Sequence, residues 1–296
     1  MSMGIMAIQS IIDGLLIGGV YATIAVGLSL AFGVMRIVNW AQGELLMISM
    51  YISYFVFNWL GIDPYLIMFF TAIVMFFVGF FLQKTVISNM LARETAVEPI
   101  TVLLFTAGLG IVLSNGVLAF IGPKYLSAVT PYTAKSMKVL GMYISIPKAI
   151  SFVIALACTL GLNFFLKKSE VGRAIRATSQ NRHVASLMGV NMKQIYNIAF
   201  GIAIAMVGLS GALLLPYSTL NPDIGTVYSF KCFVIVILGG MGSTMGALLG
   251  GLLVGVIERL GTLFFSDSVA QTAVFVVFML VLLFRPYGLL GKKISM

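Results

Sequence analysis

Eight apolar stretches, at about 8 to 33, 45 to 60, 65 to 82, 100 to 121, 143 to 166, 195 to 215, 230 to 257 and 268 to 284, fill most of the 296-residue chain. Crossing the hydrocarbon core of a bilayer as a helix takes about 20 mostly apolar residues. A backbone in lipid must also satisfy its own hydrogen bonds, which leaves helices or closed barrels, and the alternation that barrel strands need is absent. The chain therefore reads as an all-α polytopic membrane protein, one transmembrane domain over 1–296. Composition agrees, since 60% of residues are hydrophobic and 9% charged, against about 25% charged in an average soluble domain. The first apolar run starts near Ile8 without a basic region ahead of it and is too long for a signal core, so it is expected to stay as a membrane helix.

The net charge of +9 does not point to nucleic acid, because the bases cluster between apolar spans and are not interleaved with aromatics. Six of them, Lys167, Lys168, Arg173, Arg176, Arg182 and Lys193, stand against the single acid Glu170 in a polar island. Basic connections favour the cytoplasmic side, so the 167–193 loop and the tail with Arg285, Lys292 and Lys293 are expected there. Counting crossings backwards then puts Arg36 inside and the N-terminus outside. Lys124, Lys135 and Lys138 break the rule, falling in an outer loop with no acid among them.

An even number of crossings after Lys193 is needed to return Lys292 and Lys293 to the inner side, whereas three full crossings by 195–215, 230–257 and 268–284 would leave them outside. The 230–257 stretch restores the even count if it breaks at Gly239, Gly240, Gly242 and Ser243 into two shorter helices that re-emerge where they entered, because glycine runs weaken a helix. A kink in one crossing helix is the alternative. Glycines one turn apart (Gly14 and Gly18; Gly242, Gly246 and Gly250; Gly251 and Gly255) let helix backbones approach closely, and internal packing is expected of them before a dimer interface.

Polar residues within spans mark pathways or partners. Asn39, Gln42 and Glu44 follow the first span; they form either a solvated turn or, if the chain folds back into the membrane, the lining of a pathway. Glu258 and Arg259 are adjacent and so do not face each other on a helix, which suggests ion pairing with other helices. No catalytic constellation is visible. His183 is the only histidine, Cys158 and Cys232 lie far apart in apolar runs, so no metal site or disulfide framework is expected, and no phosphate-binding loop is present. Gly208-Leu209-Ser210-Gly211 resembles the serine motif of rhomboid intramembrane proteases, but the histidine such a serine needs lies in the basic loop.

The run Glu170-Val171-Gly172-Arg173-Ala174-Ile175-Arg176-Ala177-Thr178, continued by Ala185 to Asn191 with Gly189, resembles the cytoplasmic coupling region of ABC importer permeases, specifically the branched-chain amino-acid (LivH-type) group. Further matches follow in order: Gly14 to Phe32, Asn39 to Glu44, Leu213 to Gly225 with Asn221-Pro222, Leu238 to Ser243 with Gly246 and Gly250-Gly251, and Arg285 to Gly291. The resemblance implies a non-enzymatic translocation subunit of a bacterial inner-membrane importer for branched-chain or other hydrophobic amino acids, without cofactor. It implies a second, LivM-type permease, two ATP-binding subunits that hydrolyse ATP, and a soluble periplasmic or lipid-anchored substrate-binding protein. Glu170, Gly172, Arg173, Ala174, Arg176, Ala177 and Gly189 would then couple to the ATPase. Family members commonly carry His where this chain has Gln42, so no imidazole role transfers there. An intramembrane protease centred on Ser210 and a passive channel for small amides such as urea are the alternatives.

Overall fold

The computed structural model describes residues 3–93, 100–139, 141–285 and 288–291. Each apolar stretch is helical: α1 (Met3–Met35), α2 (Gln42–Leu60), α3 (Pro64–Leu82), α4 (Ser88–Arg93), α5 (Ile100–Ile121), α6 (Ile146–Lys168), α7 (Glu170–Gln180), α8 (Arg182–Leu187), α9 (Met192–Leu214), α10 (Ile224–Gly239), α11 (Thr244–Phe264) and α12 (Asp267–Phe284). Among the described residues six helices are long and apolar enough to cross a membrane, and α10 and 269–284 are shorter apolar helices. The fold is thus an all-α polytopic membrane protein with two local departures. A two-stranded hairpin, β1 (Ser136–Val139) with β2 (Met142–Ser145), precedes α6. The chain beyond the apolar stretch that ends at Leu82 stays helical through a π-turn at Gln83–Ile87 and into α4. Lys292 and Lys293, with Pro286 and Tyr287, lie outside the described residues.

Helix ends follow local chemistry. Gly61 adopts a left-handed φ of 64° and returns its N–H to the Phe57 carbonyl, ending α2. Asp63 then caps α3 by accepting from the Tyr65 amide, with Pro64 in the first turn, where its missing N–H costs nothing.

α1 and α9 form the core. In the apolar stretch of each, 83% of residues are buried, against 28%, 22% and 28% in α3, α5 and α6; the latter present Phe69, Phe77, Ile111 and Val153 outward, as lipid-facing helices do. α1 and α11 run antiparallel with their glycines in register: a side chain on Gly14 would meet Val256 and one on Gly18 would meet Gly251 and Leu252. α3 and α9 pack in the same way, Gly79 against Phe200 and Ile204, and Gly208 against Met75. The glycine spacing therefore serves internal packing, as expected.

These pairings repeat with inverted direction. α1 is followed by an unwound stretch and then α2, which starts beside Ala203 and Gly27 and runs alongside α9, its Ser49 hydroxyl reaching the Val207 carbonyl. α9 is followed by an unwound stretch and then α10, which runs alongside α1 from Tyr21–Tyr228 down to the cluster of Leu28, Phe32, Phe233 and Ile237. Under this exchange, α1 against α11 corresponds to α9 against α3. The sequence carries a faint echo: Gly27-Leu28-Ser29 then Asn39 and Gly43, and Gly208-Leu209-Ser210 then Asn221 and Gly225.

Between α10 and α11 the helix stops at Gly239 and resumes at Thr244. Gly240 (φ 102°) and Gly242 (φ 84°) take backbone angles that side-chain-bearing residues rarely adopt, and Ser243 caps α11 through the Gly246 amide. The two helices then lie antiparallel, Gly239 on Gly246 and the Ile235 carbonyl on Gly250, so the stretch from 224 to 264 is a helical hairpin and not one kinked helix. Its turn meets Gly33 at the end of α1, the end that also carries α7. The chain returns there after α12, where the amides of Leu289 and Leu290 take the carbonyls of Leu238 and Gly239, two of those that the end of α10 would otherwise leave open. The opposite end holds the β-hairpin and the Asp13–Lys148 contact.

Candidate functional site: a buried polar junction and a basic joint

α1 ends in Arg36, whose φ of 53° turns the chain back along the bundle. Residues 37–41 climb beside α1 without forming a helix, so their polar groups need partners. Thr106 of α5 accepts from the Trp40 amide at 3.0 Å. Asn39 accepts from the Ala41 amide and donates its Nδ2 to the Gln42 Oε1 at 3.0 Å, and Gln42 donates its own amide to the Ile24 carbonyl at 3.3 Å. Ile24 lies eleven residues before Met35, which at 1.5 Å per residue is about 16 Å from the end of α1, near half the thickness of a bilayer core. Asn39 and Gln42 are fully buried and Glu44 is 6% exposed. The solvated-turn alternative is thereby overturned: α2 begins in the interior because its first turn can be satisfied there.

α10 begins at the same depth. Gly43 and Gly225 cross in contact, and a side chain on Gly43 would strike the Gly225 carbonyl and Ser229. Ser229 accepts from the Gly43 amide at 2.9 Å and lies 3.1 Å from the Trp40 carbonyl and 2.9 Å from the Glu44 Oε2, while Thr226 approaches the Glu44 Oε1 at 3.4 Å. Two inverted half-helices thus meet start to start, and the positive ends of both dipoles converge beside the one carboxylate. Irregular backbone is tolerated at membrane depth where surrounding protein supplies its partners, as here. Asn39, Gln42 and Glu44 are brought together as a cluster, and Ser229, Thr226 and Thr106 complete it. Sequence reasoning missed those three because hydroxyls in apolar helices usually bond their own carbonyls and carry no pattern.

Glu258 pairs with another helix, its Oε1 2.7 Å from the Lys231 Nζ, which also donates to the Tyr21 hydroxyl at 3.1 Å and lies over the Tyr21 ring. Cys232 is buried and Cys158 only half-buried. Ser210 is fully buried and donates to the Met206 carbonyl one turn back, the arrangement of a structural hydroxyl. Among the described residues no cluster of His, Cys, Asp and Glu could hold a metal.

The basic segment forms a rigid joint. Ser169 separates α6 from α7 and accepts from the Gly172 amide at 2.9 Å; a side chain on Gly172 would lie 2.6 Å from the Leu166 backbone, so only glycine lets α7 sit this close. Arg173 and Arg176 donate to the carbonyls of Lys168 and Lys167, closing the end of α6. Ile175 turns inward, 1% exposed, whereas Glu170, Arg173, Arg176 and Ala177 face outward and Ala174 is half-buried. Asn181 caps α8, Gly189 (φ 84°) ends it, and Asn191 caps α9. The apolar surface left uncovered here is not on α7 but on and just after α8, at Val184, Leu187 and Met188, which are 51%, 73% and 80% exposed.

Over residues 10–284 the chain matches the family model described as branched-chain amino acid transport system, permease component. It is 32% identical over 300 residues to the high-affinity branched-chain amino acid transport system permease protein BraD of Pseudomonas aeruginosa, covering 96% of each chain. It is 30% identical over 301 residues to the LivH permease protein of the corresponding Escherichia coli system, again 96% of each chain, and 24% identical to a probable LivH of Methanocaldococcus jannaschii. No solved structure matches significantly.

Proposed function

The chain belongs to the family of permease components of branched-chain amino acid transport systems, and from that premise we propose that it is one membrane subunit of an ATP-powered importer of branched-chain or similar hydrophobic amino acids. The observation that carries the reading is the joint at Ser169–Gly172. A short amphipathic helix is fused there, without slack, to a spanning helix and exposes charge, and α8 beside it exposes apolar side chains, that nothing in this chain covers. A passive channel has no use for such a surface.

In this reading Glu170, Gly172, Arg173, Ala174, Arg176, Ala177 and Gly189, joined by Val184, Leu187 and Met188, form or shape the face that docks on an ATP-binding subunit. Two such subunits, a second permease of LivM type and a periplasmic or lipid-anchored receptor complete the assembly in the bacterial inner membrane. The basic end is cytoplasmic, with the C-terminus, and the N-terminus is outside. The turn of the α10–α11 hairpin, at Gly239, Gly240, Gly242 and Ser243, lies at the inner face, and α11 leads back outward. Asn39, Gln42 and Glu44 stand on the translocation path.

The test is co-purification and uptake. Replacing Gly172 by Leu together with Arg173→Glu should strip the ATP-binding subunits from the detergent-solubilised complex and abolish amino-acid uptake. Retention of both activities by this double variant would overturn the coupling role.

A further inference from the structure

Glu44 is short of partners for a carboxylate in the middle of the bundle. Among the described residues the ion pairs are Lys148 with Asp13, Arg173 with Glu170 and Lys231 with Glu258, and Glu44 has none. A carboxylate offers about four acceptor sites, yet its two donors are both compromised. Ser229 has one hydroxyl proton and two acceptors, the Glu44 Oε2 at 2.9 Å and the Trp40 carbonyl at 3.1 Å. Thr226 is distant at 3.4 Å. A buried carboxylate without a counter-charge is costly, and one within a membrane faces a pathway or a partner.

Beyond those two hydroxyls and the converging helix starts, the neighbourhood is apolar. Trp40, whose carbonyl shares the Ser229 hydroxyl with Glu44, borders a half-open apolar groove of about 230 Å³ walled also by Leu28, Phe32, Val38 and Phe233. One turn after Glu44, Ile48 borders an open groove with Val112 and Val117. Gly110 of α5 faces the carboxylate with no side chain of its own, 3.5 Å from the Oε2 to where a Cβ would stand. An enclosed apolar space of about 150 Å³ is enough to hold benzene, so the larger, half-open groove beside Trp40 has room for a branched aliphatic side chain.

We infer that Glu44 is the position that recognises the ammonium group of the permeating solute, a zwitterionic amino acid whose aliphatic side chain occupies the flanking apolar space. The missing donor and the full positive charge, which the two helix dipoles replace only in part, are then supplied together, transiently, by the substrate. The inference rests on the transport reading above and adds the residue that reads the solute.

The test uses the complete importer in proteoliposomes with ATP and radiolabelled leucine. Glu44→Gln keeps the side-chain volume and one acceptor oxygen for Ser229, giving up only the 3.4 Å approach of Thr226, so a structural role would largely survive it. The expected result is at least a tenfold loss of uptake with all subunits still co-purifying, and partial recovery in Glu44→Asp. Uptake by Glu44→Gln within twofold of wild type overturns the proposal and leaves the transport reading standing. Loss of the second permease from the Glu44→Gln complex, with its retention in Glu44→Asp, also overturns it, because the cation would then belong to that subunit. A measurement on the unaltered complex needs no variant: leucine should slow labelling of Glu44 by a hydrophobic carbodiimide severalfold, and its deaminated analogue 4-methylpentanoate should not. Equal labelling in both overturns the proposal. A wild-type complex that takes up no leucine brings down the transport reading, and the proposal with it.

Discussion

Two glycines decide whether the half-helices can meet. Gly43 and Gly225 each approach the other's backbone where a Cβ would collide, with the Gly225 carbonyl on one side and the Glu44 backbone at 2.9 Å on the other. The first site is closed by backbone and by Ser229, neither of which can swing away, so Gly43→Ala should cost about 1–3 kcal/mol, the usual range for overpacking. Thermal unfolding of the purified chain in detergent should register this as a lower Tm, with Gly108→Ala, which meets nothing within 4 Å, as the unaffected control. Legibility at this scale was uneven for a physical reason. Asn39, Gln42 and Glu44 stand out because amide and carboxylate groups are rare in an apolar run, and the sequence could say that they were a cluster without saying whether water or protein surrounded them. Burial depended on Thr106, Ser229 and the Ile24 carbonyl, which are contributed by three other helices and have no signature in any one of them.

α10 and α11 show how an element can be read correctly in kind and misjudged in extent. The glycine run from Gly239 to Gly242 marks a break by its weak helix propensity, and the break is there. The helices extend beyond the apolar stretch at both ends, from Ile224 and to Phe264; Glu258, where the hydropathy reading ends the stretch, is neutralised across the hairpin by Lys231, so the helix continues past it. Both side chains are only 13% and 12% exposed, and Lys231 is further enclosed by the rings of Tyr21 and Tyr228. Removing one member leaves a mostly buried charge, for which losses of about 3 kcal/mol are typical. Lys231→Met should therefore lower the Tm distinctly, and the double variant Lys231→Met with Glu258→Leu should recover most of the loss, since apolar replacements of both partners are commonly neutral. A double variant no better than the single one would mean that the tyrosine cage, and not the pair, holds the hairpin together.

Across the whole molecule the inverted arrangement puts the basic joint and the polar junction on one mechanical path. α7 lies against α1 and α9, with Ile175 and Arg176 bordering the same space as Gly33 and the α10–α11 turn at Gly242 to Met245. From that turn α10 runs straight to Ser229 and Thr226, the residues that hold Glu44. The apolar stretches announced the spans, but nothing in their periodicity could disclose that α2 and α10 start halfway, because a half-helix and a whole one bury the same kinds of residue. In the proposed transporter, force enters at α7 and reaches the junction only if α6 and α7 move as one body. Bistable packing of this kind transmits small displacements when its joints are stiff, and the stiffness here lies in Ser169, Gly172 and the arginine bonds to Lys167 and Lys168. Inserting two glycines between Lys168 and Ser169 keeps every exposed residue of α7 and α8 and removes that stiffness. The modified subunit should still retain the ATP-binding partners, and the complex should still hydrolyse ATP, while uptake falls at least tenfold. Uptake at the wild-type rate would mean that the joint is a passive tether and that the motion reaches Glu44 by another route, through α9 and its direct contact with α2.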